Sequence, residues 1–137
     1  MKLFLDSSAL VKRYINEPGT DRVNELCSLA GDVAVCILCV AEVISASNRL
    51  LRERTITRPQ YRRIKKEFFS DIGETTVIDL TNAVLNHSIR CMEKSPVRSL
   101  DALHIAAAVE YGCDIFVTGD RRQKDAAASM KLTVEVV

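Results

Sequence analysis

Lys2-Leu3-Phe4-Leu5-Asp6-Ser7-Ser8 opens the chain with a short apolar run that ends directly on an acid. Val117-Thr118-Gly119-Asp120 repeats that transition far along the sequence. Runs this continuously apolar suit strands covered on both faces, as in a parallel sheet. Working outward, Lys2–Leu5 and residues 33–36, 76–79, 114–118 and 132–136 read as five strands. Helical patterns fill the intervals. Residues 8–15 and Thr20–Leu29 form a pair broken by Pro18-Gly19. Leu38–Arg52 carries an apolar stripe of Val40, Val43, Ile44 and Leu51. Residues 58–69 follow, with Pro59 in a first turn that tolerates it. Thr81 caps a helix running to about residue 94, and Ser99 caps one reaching Tyr111, where Gly112 stands as the C′ glycine. A last helix spans about residues 121–130. Strand and helix in repeated alternation predict an α/β fold with a mostly parallel sheet.

Bulk composition narrows the class. At 137 residues the chain suits one domain, and 47% hydrophobic with 27% charged residues is globular composition. The apolar start is too short for a secretory or spanning segment, so a cytoplasmic protein with no membrane association is expected. A formal net charge of +1 leaves nucleic-acid binding to local patches, not to the whole surface. Five cysteines, an odd number in a chain without an export signal, read as reduced core residues. Cys36-Ile37-Leu38-Cys39 has C-x-x-C spacing, but no second ligand pair for zinc is visible. Its apolar setting favours inert thiols over a redox site.

Parallel sheets bind ligands beyond the carboxyl ends of their strands. Asp6 and Asp120 fall at two such ends. Glu42 sits one turn into its helix, and Asp101 lies in the first turn of the very apolar Ser99–Tyr111. Each acid alone has a plain alternative: a helix cap or a solvated face. Four near one sheet edge would repel one another unless a cation stood among them. Hard divalent ions such as Mg²⁺ or Mn²⁺ take carboxylate oxygen and substrate phosphate together. His104, three residues beyond Asp101, reads as a core histidine. Gly-rich phosphate loops are absent, which counts against nucleotide-dependent enzymes. The stretch 49–66 is strongly basic, with Arg49, Arg52, Arg58, Arg62 and Arg63 among its cations, and Arg121 and Arg122 adjoin Asp120. These seven arginines are candidate contacts for nucleic-acid phosphate.

The segment Leu5-Asp6-Ser7-Ser8-Ala9-Leu10-Val11-Lys12-Arg13-Tyr14 with Glu17-Pro18-Gly19 resembles the start of PIN-domain proteins, especially VapC-type toxins of toxin–antitoxin systems. So do Ala41-Glu42-Val43, the run from Leu100 to Ala108 with Asp101 and His104, and Thr118-Gly119-Asp120. The resemblance covers nearly the whole chain. It implies a single PIN-like domain over residues 1–137, a three-layer α/β/α fold with a five-stranded sheet. It implies Mg²⁺ or Mn²⁺ held by Asp6, Glu42, Asp101 and Asp120, with Ser7 and Thr118 supporting them. It further implies endoribonuclease activity on RNA, a cognate antitoxin and a homodimer. Many members carry another acidic or amide group shortly after the last aspartate; here Gln123 is neutral and Asp125 is displaced. A structure-specific DNA nuclease or other metal-dependent phosphoesterase, and a catalytically silent protein-binding module, are the competing readings.

Overall fold

The computed structural model describes residues 1–137. Strands β1 (Lys2–Leu5), β2 (Asp32–Cys36), β3 (Thr76–Ile78), β4 (Ile115–Thr118) and β5 (Val134–Val136) form one sheet in the order β3-β2-β1-β4-β5. Every pairing is parallel. The helices are α1 (Ser7–Val11), α2 (Thr20–Leu29), α3 (Leu38–Arg52), α4 (Arg58–Ile72), α5 (Asn82–Lys94), α6 (Ser99–Tyr111) and α7 (Gln123–Ser129). No helix is long and apolar enough to cross a membrane.

Side-chain alternation along each central strand builds two cores. Leu3, Leu5, Val35 and Val117 point to one face, where they meet Leu10, Val23, Val43, Ile64 and Phe68 from α1 to α4. Phe4, Ala34, Cys36 and Phe116 point to the other, against Val84, Cys91, Ala102 and Ile105 from α5 and α6. Burial on both faces is why these strands show no polar alternation in sequence. Phe4 stacks on Phe116 at 5.9 Å between ring centroids. Tyr14 meets the buried Phe68 edge-on at 5.6 Å, and its hydroxyl donates to Asp71 at 2.8 Å. The alanine-rich face of α6 lies over β2 and against α5.

The order of strands sets the place of any site. The chain builds β1, β2 and β3 outward on one side, then crosses back to lay β4 and β5 on the other. The reversal lies between β1 and β4, and the crevice beyond their carboxyl ends is where such sheets bind ligands.

Several boundaries differ from the sequence reading. The first helix ends at Val11 instead of 15, because Lys12, Arg13 and Tyr14 donate to carbonyls three residues back in a tighter turn. Ser99 is the first helical residue of α6; its N-cap is Arg98, whose side chain makes no capping bond. The last helix begins at Gln123, since the Asp120 carboxylate and carbonyl engage the N–H groups of Arg122 and Gln123 in a turn. Thr81 does cap α5, accepting from the Val84 N–H at 3.2 Å, and Gly112 does adopt a left-handed φ of 70°.

Phe68 is fully buried at the junction of α4, α1 and the sheet. Phe68→Ala is expected to destabilise the fold by about 3–5 kcal/mol. Urea unfolding checks this: the midpoint should fall with the slope unchanged.

Candidate active site

Asp6 leaves β1 and caps α1, its Oδ1 accepting from the Ala9 N–H at 2.9 Å and the Ser8 hydroxyl at 2.6 Å. Its Oδ2 accepts from the Thr118 hydroxyl at 2.5 Å, so the ends of β1 and β4 are tied through one carboxylate. The cap and the site are therefore the same residue. Asp6 is 1% exposed; burial raises its pKa, and the hydroxyls of Ser8 and Thr118 with the Ala9 N–H only partly oppose that rise. The same two hydroxyls shape the loop after β4. Ser8 Oγ accepts from the Gly119 N–H at 2.8 Å and Thr118 Oγ1 from the Asp120 N–H at 3.0 Å. A Cβ on Gly119 would stand 2.9 Å from Lys12 Cε and 3.2 Å from the Ser8 carbonyl oxygen. A side chain there would push the Lys12 stem aside and crowd Ser8, so close approach favours glycine although its φ is ordinary.

Glu42 projects from the first turns of α3. It accepts from the Ser7 hydroxyl at 2.9 Å and from His104 Nε2. Burial raises its pKa, but the hydrogen bonds and charge of His104, with the Ser7 hydroxyl, outweigh burial and hold it below the usual value. His104 is thus buried, as expected, yet it orients Glu42 rather than Asp101; its Nδ1 has no partner. Asp101, half-buried on α6, accepts from Gln123 Nε2 at 3.2 Å. Its pKa is raised, first by burial and then by the charges of Asp120, Asp6 and Glu42. Asp120 is gripped by Arg122, whose Nε and Nη2 lie 3.0 and 2.9 Å from its two oxygens. That grip holds the Asp120 pKa low.

Asp6, Glu42, Asp101 and Asp120 line one cleft of about 130 Å³ together with Ser7, Ser8, His104 and Gln123, and no hydrophobic residue. Gln123 is 5% exposed, and its Oε1 has no hydrogen-bond partner. Sequence reasoning treated Gln123 only as a missing acid. Its signal was an amide just past Asp120, but the contact with Asp101 depends on how α7 packs. No three of the chain's carboxylates, imidazoles and thiols converge closely enough to hold an ion as they stand. The chemistry of the donors nevertheless fits a hard divalent cation. All four acids are oxygen ligands, three of them crowd the fourth electrostatically, and a buried amide oxygen stands unpartnered beside them.

The basic candidates divide. Arg49 and Arg52 line a cleft shared with Glu42, and Arg122 lines one shared with Asp101 and Asp120. Arg121 is exposed beside Asp120. Arg58 and Arg62 are exposed on α4 and line none of these clefts. Arg63 lines a larger cleft of about 560 Å³ with Arg13, Tyr14 and Asp71. Arg13 and Asp71 continue from there to the amino end of β2, away from the acids. The cysteines are all free thiols. Burial raises Cys36, and burial with nearby Cys36 and Glu42 pushes Cys39 up to about 12, so neither is a ready thiolate.

Residues 3–129 match the PIN domain family. The chain is 30% identical over 134 residues to Ribonuclease VapC46 of Mycobacterium tuberculosis, spanning 96% of this chain and 95% of that protein. Its fold is similar to VapBC2 from Rickettsia felis, solved with a promoter DNA fragment, at a TM-score of 0.73 and 13% identity over 100% of this chain and 99% of that one. It is also similar to VapC20 of Mycobacterium tuberculosis, a Sarcin-Ricin loop cleaving toxin, at a TM-score of 0.65 and 15% identity over 93% and 94% of the two chains.

Like-charge crowding at Asp101 has a sign that can be checked. A carboxyl whose folded pKa is raised costs stability once ionised, and that cost disappears as pH falls through the folded pKa. Asp101→Asn removes the charge and keeps an acceptor for Gln123. With metal chelated, the variant should be more stable than wild type at pH 7, and the difference should vanish on acidification. Urea titrations from pH 7 to pH 4 measure it.

Proposed function

The chain belongs to the PIN-domain family, and on that premise we propose that it is a divalent-metal-dependent endoribonuclease, the toxin of a toxin–antitoxin pair. The observation that carries this reading is that carboxylates from four separate segments meet in one cleft that no apolar side chain lines. The similarity to Ribonuclease VapC46 supports RNA as the substrate. In this reading Asp6, Glu42, Asp101 and Asp120 hold Mg²⁺ or Mn²⁺, directly or through water. When bound, such an ion neutralises the acids, polarises the scissile phosphate and makes water a competent nucleophile at neutral pH.

The protein's own part is positioning. Ser8 and Thr118 fix both oxygens of Asp6, and Ser7 with His104 fixes Glu42. Gln123 steadies Asp101 through its amide N–H and leaves its carbonyl oxygen toward the cleft wall. Arg122 holds Asp120 until substrate phosphate or cation competes for the pair. In this scheme no residue is needed to deprotonate a ribose 2′-hydroxyl, so discrimination for RNA rests on shape.

Two expected outcomes test this. RNA cut by the wild type should carry 5′-phosphate and 3′-hydroxyl ends. Cutting should stop in excess EDTA and in Asp6→Asn, whose circular dichroism spectrum should stay folded. End mapping and gel assays read this; cyclic phosphate ends or full activity without metal would refute it, and equal cleavage of single-stranded DNA would favour a broader nuclease. The toxin role predicts growth arrest on expression and relief by an adjacent gene. Unimpaired growth with active enzyme would remove the toxin role alone. A homodimer is part of the proposal, supported by Leu85, Ile89 and Met92, exposed apolar residues at helical spacing along α5.

A further inference from the structure

The acid cleft does not stand alone. Glu42 and Leu100 are shared between two flanking clefts. One, of about 310 Å³, runs past Asp101 to Arg98 and Arg122. The other, of about 440 Å³, is floored by Ala41, Ser45 and Ala46 and edged by Arg49 and Arg52. Leu100, one residue before Asp101, is 49% exposed, and sits where the two meet. A large apolar side chain is costly to leave in water at a polar rim. The guanidinium groups of Arg49, Arg52 and Arg98 close no salt bridge, although the charge of Arg98 helps to hold the Asp120 pKa low. Guanidinium groups thus stand on both sides of one apolar platform, which adjoins the carboxylates.

Resting on the endoribonuclease reading, we propose that Leu100, with the small side chains of Ala41 and Ala46, forms a seat for one nucleobase beside the scissile phosphate, and that Arg52 and Arg98 hold the phosphates on either side of it. The chemistry matches piece by piece. A nucleobase is a flat, largely apolar surface with polar edges, and a leucine platform over an alanine floor accepts its face. Ser45, which lines the same cleft, offers a hydroxyl to an edge. Phosphates alternate with bases along a strand, as the arginines flank the platform here. A base can enter such a seat only when it is neither paired nor stacked in a helix, so the substrate at this nucleotide is unpaired RNA. The seat thus deepens the site by naming the residues that select an unpaired nucleotide.

The probe is one single-stranded RNA oligonucleotide that the wild type cuts, together with a set in which each nucleotide in turn is made abasic. Binding is read by fluorescence anisotropy in the Asp6→Asn background, where the RNA stays whole, and single-turnover cleavage is read with Asp6 intact. One abasic position next to the cut should weaken binding by about tenfold. Leu100→Ala should weaken binding of the intact RNA to a similar degree while leaving that abasic RNA unaffected. Ala46→Leu, which fills the floor, should behave like Leu100→Ala. Arg98→Gln should lower the salt slope of binding by roughly 0.7. If Leu100→Ala and the abasic change add independently, or the variants leave RNA affinity untouched and loosen only an antitoxin complex, the seat is overturned while the ribonuclease reading stands. If no RNA is bound or cut by the wild type, the ribonuclease reading itself fails and the seat with it.

Discussion

A carboxylate shut away from water must be met by donors or it does not survive folding. Asp6 is that carboxylate, and its donors come from α1 and from the end of β4. Meeting this single requirement sets the crevice. Thr118, committed to Asp6, also receives the N–H of Asp120; Ser8, likewise committed, receives the N–H of Gly119. The loop that carries Asp120 is thereby fixed by the needs of a residue more than a hundred positions earlier. Take away the Asp6 side chain altogether and β1, α1 and the β4 loop lose their common anchor.

The four acids then differ because their surroundings differ. Donors hold Glu42 and Asp120 in the charged form, whereas burial and neighbouring charge push Asp6 and Asp101 the other way. Pairs of carboxyls driven apart in this manner are a feature of reactive sites more than of structural ones. The protein spends its hydroxyls and one imidazole on keeping the acids in place, which leaves little of the cleft to apolar packing. The larger cleft around Tyr14 and Asp71 shows the contrast: it has room, but it has no comparable convergence of acids.

Much of this was legible in the order of residues. The strands show as continuous apolar runs, because both faces of the sheet are covered, and acids directly after β1 and β4 mark the crevice in the sequence itself. Glu42 and Asp101 were recognisable through family resemblance, since nothing in helical spacing alone brings α3 and α6 to one point. What stayed hidden depends on packing across the chain. The pairing of His104 with Glu42 joins residues 62 apart in sequence, and nothing in local spacing announces it. Gln123 reaches Asp101 only because α7 starts later than its pattern suggested. The basic stretch 49–66 read as one surface, yet the turn between α3 and α4, with Arg54 at a left-handed φ of 59°, parts Arg49 and Arg52 from Arg63.

The alanines of α6 bear on the acid cleft as well as on packing. Ala102, Ala106, Ala107 and Ala108 are wholly buried, and Asp101 rides on the same rigid helix. Any codon change that enlarges one of them must lift or tilt that helix in a close-packed interior, and the carboxylate moves with it. The set of substitutions that disturb the acid cleft is therefore wider than the four acids that line it, and a survey confined to charged residues would overlook the small buried positions behind it.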